Sequence, residues 1–119
     1  MNRKRGGASW AVFLGEPTPT SAKITGTLSI RDENLVFETG IALAENAGLL
    51  LGYGIPAHRV IHDAVSIPLR EIAGASSRRT KLILRSLAVR LTSGEEIVFQ
   101  FGAASPARAE AALRGRLAQ

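Results

Sequence analysis

The sequence predicts a small α+β domain in which antiparallel strands are followed by one C-terminal helix. Two segments alternate apolar and polar residues on either side of a short polar turn, which is the pattern of a β-hairpin with one buried face. Near the end of the chain, a serine and a proline precede an amphipathic stripe, as they do at the start of a helix. Strands that precede a single helix are an α+β order.

The first hairpin lies in GTLSIRDENLVFETG, residues 26–40. Apolar and polar side chains alternate from Lys23 to Arg31, and the alternation resumes at Leu35. Residues 32–34, Asp-Glu-Asn, form the predicted turn, because Asp and Asn satisfy local backbone groups and Asn tolerates positive φ. This regularity predicts one wall of a core.

The second hairpin lies in LILRSLAVRLTSGEEIVFQFG, residues 82–102. Leu87, Val89 and Leu91 alternate with polar or small residues, Ser93 and Gly94 turn the chain, and an aromatic-rich strand follows. Two amphipathic hairpins predict two sheet faces that share a core.

The remaining chain is less regular. A short first strand is possible at Trp10–Leu14, and another is possible within residues 48–53, inside the Gly-rich stretch 41–63 that has no sustained period. In VSIPL, Pro68 must lie at a sheet edge or an outward position, since proline has no N–H for a ladder bond. A short strand is expected at 72–76. Residues 1–7 are predicted to be a flexible basic tail, and residues 8–119 a single domain.

The C-terminal helix is expected over about residues 105–118. Ser105 is expected to cap it, and Pro106 suits the first helical position because no donor is lost there. The stripe consists of Ala109, Ala112, Leu113 and Leu117. Basic residues in the last turn, Arg114 and Arg116, are favoured by the helix dipole.

Composition limits the possible functions. With 45% apolar and 21% charged residues, the 119-residue chain has the balance of a folded domain. It contains no cysteine, which excludes disulfides, thiolate metal sites and a cysteine nucleophile and suits a reducing compartment. The net charge of +5 favours anionic partners: phospholipid, nucleic acid or an acidic protein surface. No apolar run is long enough to span a membrane, so we expect a cytoplasmic protein, with peripheral membrane contact as an option.

Three segments resemble, in this order, the GRAM and pleckstrin-homology-like (PH-like) domain family in its bacterial form. They are GTLSIRDENLVF, VSIPLREI and LAVRLTSGEEIVFQF, followed by the capped helix. The resemblance implies a PH-like barrel of about seven strands in two near-orthogonal antiparallel sheets, closed by the C-terminal helix, with Leu113 and Leu117 as its plug. It also implies a non-enzymatic binding module that recruits lipid headgroups or protein surfaces. Some bacterial domains of this fold are oligomeric.

The densest basic cluster within the predicted domain is SSRRTK, which contains Arg78, Arg79 and Lys81. One interpretation is a solvated loop between strands, or charges that discourage edge pairing. The other is an anion site, because guanidinium groups bind phosphate with two parallel hydrogen bonds. Lys23 and Arg31, on the polar face of the first hairpin, are candidates to join it.

A second candidate contact is apolar. Leu49, Leu50, Leu51 and Tyr53 lie in the Gly-rich stretch and belong either to the core or to an exposed loop that inserts into a bilayer or a partner's groove. Beside a basic cluster, such a loop would make a two-signal peripheral membrane contact, since each signal binds weakly alone.

No residue pattern predicts catalysis or a cofactor. His58 and His62 are four apart, but Pro56 argues against a helix there and no third ligand completes a metal site. The chain has no G-x-S-x-G elbow and no phosphate-binding loop motif. We therefore expect a protein partner or a homo-oligomer first and anionic lipid second. A small basic nucleic-acid-binding protein is the alternative, and it would need stacking aromatics beside the charges.

Overall fold

The computed structural model describes residues 9–15, 24–39, 50–80, 84–102 and 104–118. Within them a curved sheet carries a C-terminal helix, Ala107–Leu117. The strands are β1 (Ser9–Leu14), β2 (Ile24–Arg31), β3 (Asn34–Glu38), β4 (Val60–Ile61), β5 (Ala64–Pro68), β6 (Ile72–Thr80), β7 (Leu84–Leu91) and β8 (Glu96–Gly102). The predicted basic tail, residues 1–7, lies outside the described residues.

All eight strands belong to one antiparallel sheet, in the order β4-β5-β3-β2-β1-β8-β7-β6. The prediction of a PH-like barrel built from two near-orthogonal sheets is therefore wrong. The physical reason is β1, which pairs with β2 along its whole length and also with β8 at Phe13 and Gln100. Its backbone joins the two halves, whereas hairpin patterns alone do not show which strands pair across a long connection. The sheet is open, because β4 and β6 are its two edges.

The open sheet nevertheless curls around a common core. Phe37 on β3 and Phe99 on β8 are three strand spacings apart in the sheet order, which would separate them by about 14 Å in a flat sheet. Their ring centroids are instead 5.6 Å apart, with the planes tilted by 52°. The two predicted hairpin faces thus share one core, although a single sheet supplies both.

The first hairpin forms as predicted, with a tighter turn. Residues 27–31 pair with residues 34–38, so the turn consists of Asp32 and Glu33 while Asn34 already belongs to β3. Asp32 takes the positive φ, 53°, that was expected of Asn34. The possible strand at Trp10–Leu14 is also present, as part of β1.

Pro68 occupies the position that its missing N–H requires. The Leu69 N–H donates to the Glu33 carbonyl at 2.8 Å, so this pair is of the hydrogen-bonded type in the β3–β5 ladder. Along an antiparallel pair of strands, hydrogen-bonded and non-hydrogen-bonded residue pairs alternate. The neighbouring pair, Pro68 and Asn34, is therefore non-hydrogen-bonded. The Pro68 nitrogen points away from β3, toward the edge of β5 that β4 covers. Because β4 pairs only with residues 64–65, no described strand needs a hydrogen bond from Pro68 there.

One local expectation is wrong, and another is right in place but too short. Residues 50–51 are helical instead of extended, because Tyr53 and Ile55 N–H groups both donate to the Leu50 carbonyl, at 2.9 and 3.1 Å. The strand expected to end at Ser76 continues to Thr80, because β7 pairs with it along that whole length.

The C-terminal helix runs along the β6 edge. Ser77 Oγ donates to Glu110 Oε1 at 2.7 Å, and Arg114 Nε donates to the Ala75 carbonyl at 2.9 Å. The guanidinium thereby satisfies a backbone group that an edge strand leaves unpaired. As predicted, Ala109 and Leu113 are buried, and Ala112 and Leu117 pack against the core.

Candidate functional site

The basic cluster lies on a strand and not in a loop. Arg78 and Arg79 belong to β6, and β7 faces them directly. The interpretation as a solvated loop between strands is therefore wrong for these two residues, whereas their position on an edge strand agrees with charges that discourage edge pairing. Neighbouring strand residues start on opposite faces, yet both arginines line one pocket at this sheet edge, and they differ in their partners.

Arg78 has an acidic partner. Its guanidinium donates two hydrogen bonds to the Glu96 carboxylate, at 3.1 and 2.7 Å. Both side chains are well exposed, so the pair contributes at most about 1 kcal/mol to stability. The Glu96 carboxylate nevertheless balances the positive charge of Arg78.

Arg79 has the opposite situation. In the β6–β7 register it stands directly across from Arg85. Like charges at directly opposed positions of an antiparallel pair destabilise the sheet. Neither arginine has an acidic partner among the described residues. The register thus places two arginines directly opposite each other without an acidic side chain, among the described residues, to offset their charges.

The two arginines line a pocket of about 230 Å³ at the start of the C-terminal helix. Its other lining residues are Ser77, Arg78, Ser105, Pro106 and Ala107. Ser105 Oγ accepts the Ala107 N–H at 3.2 Å, which leaves the Ser105 hydroxyl free to donate. The positive end of the helix dipole adds to the charge of the arginines.

Arg85 is partly enclosed in this pocket. Its Nε atom is buried and has no hydrogen-bond partner within the part of the chain that the structure describes. A buried donor without an acceptor costs free energy, and an arginine has five N–H donors to place. We call Arg79, Arg85, Ser105 and the first residue of the helix, Ala107, the arginine pocket.

The other predicted basic residues do not all join the arginine pocket. Arg31 is exposed and pairs with Glu38 at 2.6 Å. The carbonyl of its neighbour Asp32 accepts a hydrogen bond from Arg116, near the far end of the helix. From Arg116 back to Ala107 the helix rises about 13 Å, so Arg31 belongs to another surface. Lys23 and Lys81 lie outside the described residues.

A second, larger groove of about 410 Å³ lies between β6 and the last turn of the helix. Small residues such as Gly74 and Ala88 form its floor, and Arg90 and Arg114 are among its charged lining residues. Arg114 is already engaged by Glu110 at 3.2 Å and by the Ala75 carbonyl. This groove therefore offers less unpaired charge than the arginine pocket does.

The predicted apolar contact residues differ in how exposed they are. Leu50 is fully buried in the core, so its prediction as a contact residue is wrong, and Tyr53 packs against the core. The short helical turn explains this, because it directs Leu50 inward. Leu51 is 54% exposed and Ile61, which the sequence did not single out, is 58% exposed. Leu49 lies outside the described residues.

Arg85 and Ser105 are the site residues that sequence reasoning missed as ligands. Ser105 was interpreted only as a helix cap. Arg85 was hidden because the strand before it was expected to end at residue 76, so the sequence did not predict that Arg79 would lie opposite it. A signal existed in RRTKLILR, where arginines lie at both ends of a short segment between two strands.

Comparison with known proteins does not place the chain. No protein-family model, no curated protein and no solved structure matches it. The resemblance to GRAM and PH-like domains stays a prediction. In the described ranges, no helix is long and apolar enough to cross a membrane.

Proposed function

We propose that this chain is a non-enzymatic binding module that recruits a protein partner with an acidic surface. The observation that carries the proposal is the Arg79–Arg85 pair, opposed across two strands with no acidic partner among the described residues. An anionic group in the pocket would accept hydrogen bonds from the guanidinium N–H groups that line it and would offset the like charges of Arg79 and Arg85. Charge-assisted hydrogen bonds of this kind are the strong ones.

A protein partner is favoured over a membrane by the distance between the basic and apolar features. The arginine pocket is at the Gly102 end of β8, since Arg85 stands opposite Gly102. The loop that carries Leu51 lies at the other end of this strand, where a Cβ on Gly54 would be 2.2 Å from the Glu96 carbonyl oxygen. Six residues of strand span about 20 Å. The arginine pocket and the loop that carries Leu51 therefore lie toward opposite ends of β8.

A partner other than a second copy is favoured by charge. The chain has a net charge of +5, so two copies repel each other at long range. Self-assembly would need an acidic face on the same molecule. Self-assembly remains part of the proposal, and measuring the mass of the chain in solution distinguishes it from binding to a different protein.

Nucleic acid is a weaker fit because the aromatic side chains are engaged elsewhere. Phe37, Phe99 and Phe101 are buried, and Trp10 and Tyr53 pack against the core. Binding of single strands relies on aromatic side chains that stack on bases beside basic residues.

Peripheral contact with anionic lipid is the second candidate, and the exposure of Leu51 and Ile61 favours it. In either form we propose a cytoplasmic location, which the absence of cysteine supports.

Isothermal titration calorimetry tests the proposal directly. The probes are a peptide of alternating glutamate and glycine, vesicles of phosphatidylcholine with phosphatidylglycerol, and a DNA duplex. We expect the acidic peptide to bind, and R79A/R85A to weaken binding at least about tenfold, since hydrogen bonds to charged groups contribute about 1.5–3 kcal/mol each. Sedimentation velocity reports the mass of the free chain.

The matched control is R70A/R90A, which removes the same charge from two arginines that lie outside the arginine pocket. Equal losses in the two double variants would indicate general attraction and contradict the proposal. Binding to vesicles alone would favour the lipid candidate. Tight binding to the duplex at physiological salt would favour nucleic acid, and a mass above the monomer with no peptide binding would favour self-assembly.

A further inference from the structure

We propose that the arginine pocket binds a phosphate monoester, presented as a phosphoserine or phosphothreonine of the protein partner. The inference rests on the proposed function and names the chemical group that the pocket recognises. It is carried by the arrangement of Arg79, Arg85 and Ser105 around one concave space of about 230 Å³.

The donors approach this space from separate elements. Arg79 comes from β6, Arg85 from the facing position on β7, and Ser105 from the segment that leads into the C-terminal helix. Ala107, the first helical residue, also lines the space and brings the positive end of the helix dipole to it. A ligand in the middle would receive hydrogen bonds from several directions.

A phosphate monoester matches this arrangement better than a carboxylate does. A carboxylate is planar and carries one negative charge, so a single guanidinium fork satisfies it. A phosphorylated side chain carries a charge of about −1.5 to −2 at neutral pH and three strong acceptor oxygens. Two guanidiniums without acidic partners in the described part of the chain supply an equal positive charge.

The phosphate source that the structure favours is a peptide. The pocket is a concavity between two strands and a helix start. The exposed Leu51 lies on the loop at the opposite end of β8, about 20 Å away along the strand. This separation favours a peptide, which binds through the pocket alone, over a lipid, whose binding gains from apolar insertion beside the headgroup.

The test titrates the full chain with inorganic phosphate and with a flexible glycine-serine peptide that carries one phosphoserine. The same peptide with serine, or with glutamate, at that position measures what the phosphate adds. Amide shifts of Ser105 and Ala107 in ¹⁵N NMR spectra locate the binding. We expect the phosphopeptide to bind about tenfold or more tightly than the glutamate peptide.

Arginine variants distinguish the paired hydrogen bonds of a planar guanidinium from a general effect of positive charge. R79Q and R85Q should each weaken phosphopeptide binding about tenfold or more, because each removes charge-assisted hydrogen bonds. R85K keeps the charge but loses the planar fork, and should fall between R85Q and the natural chain. R70Q is the matched control, since Arg70 lies in the turn before β6, about 25 Å along the strand from Arg79.

The outcomes are distinct. If the phosphopeptide and the glutamate peptide bind equally and both depend on Arg79 and Arg85, the phosphate inference is wrong while the proposed function stands. If neither peptide binds, both are wrong. Binding only to vesicles that contain phosphatidic acid would replace the peptide by a lipid headgroup. Equal losses in R79Q and R70Q, with all variants folded by circular dichroism, would also overturn the inference.

Discussion

The β2–β3 and β6–β7 hairpins are built alike but differ in how their charges are placed. In the first, Arg31 pairs with Glu38, and Arg116 of the helix holds the turn at Glu33 with a 3.3 Å contact. In the second, Arg79 faces Arg85 without an acidic partner in the described ranges. Repulsion that a fold retains at one place is typical of sites where stability is traded for function. The first hairpin is therefore structural, and the second carries the candidate site.

The largest expected effect is a loss of stability in the β2–β3 hairpin. Phe37→Ala should lower the free energy of unfolding by about 3–5 kcal/mol, because Phe37 is buried against Phe99 and its removal leaves a cavity. Urea unfolding followed by circular dichroism measures it. Phe37→Leu, which leaves a smaller cavity, is the control. A loss below about 1 kcal/mol for the alanine variant would show that the core is not built around this ring pair.

The same glycine substitution should affect the two hairpins unequally. A Cβ on Gly26 would lie 2.2 Å from the Glu38 carbonyl oxygen, whereas on Gly74 it would meet only the movable Arg90 guanidinium, at 3.2 Å. Gly26→Ala should therefore destabilise by about 2–3 kcal/mol and Gly74→Ala by less than about 0.5 kcal/mol. Thermal unfolding of the two variants measures the difference. Similar midpoints would contradict the tight approach of β2 to β3.

Charge reversal should change stability in opposite directions in the two hairpins. Arg79→Glu places a carboxylate across from Arg85 and should stabilise the fold by about 0.5 kcal/mol, while abolishing phosphopeptide binding. Arg31→Glu places a second carboxylate beside Glu38 and should destabilise by a similar amount, about 0.5 kcal/mol, without affecting binding. Chemical unfolding and calorimetry on both variants test this. If Arg79→Glu destabilises, the two arginines do not repel each other as proposed.

The smallest expected effect is on salt dependence. Raising the ionic strength from about 0.1 M to about 1 M shortens the Debye length from about 10 Å to about 3 Å and so weakens the repulsion between Arg79 and Arg85. The stability advantage of Arg79→Gln over the natural chain should therefore be a few tenths of a kcal/mol at low salt and vanish at high salt. Urea midpoints at the two salt concentrations measure it. If Arg79→Gln is more stable than the natural chain by the same amount at both salt concentrations, the difference comes from packing and not from charge repulsion.

Local structure was predictable where side-chain alternation is regular. The β2–β3 hairpin, the β7–β8 hairpin and the buried stripe of the helix all follow from it. Pro68 was predictable for a chemical reason, since an absent N–H restricts it to a position without a ladder bond. The stretch before Pro56 was not, because its apolar residues follow neither period, and Leu50 became core through a single helical turn.

The amino-acid sequence was enough to indicate a cysteine-free, basic α+β chain with two amphipathic hairpins and a capped helix, because these depend on neighbouring residues. Pairing between distant strands depends on which backbone edges meet, and no local pattern encodes that. For this reason only the folded chain shows that β1 joins both halves into one sheet. For the same reason, the meeting of Arg79 with Arg85 beside Ser105 became visible through the β6–β7 register and the helix that runs along it.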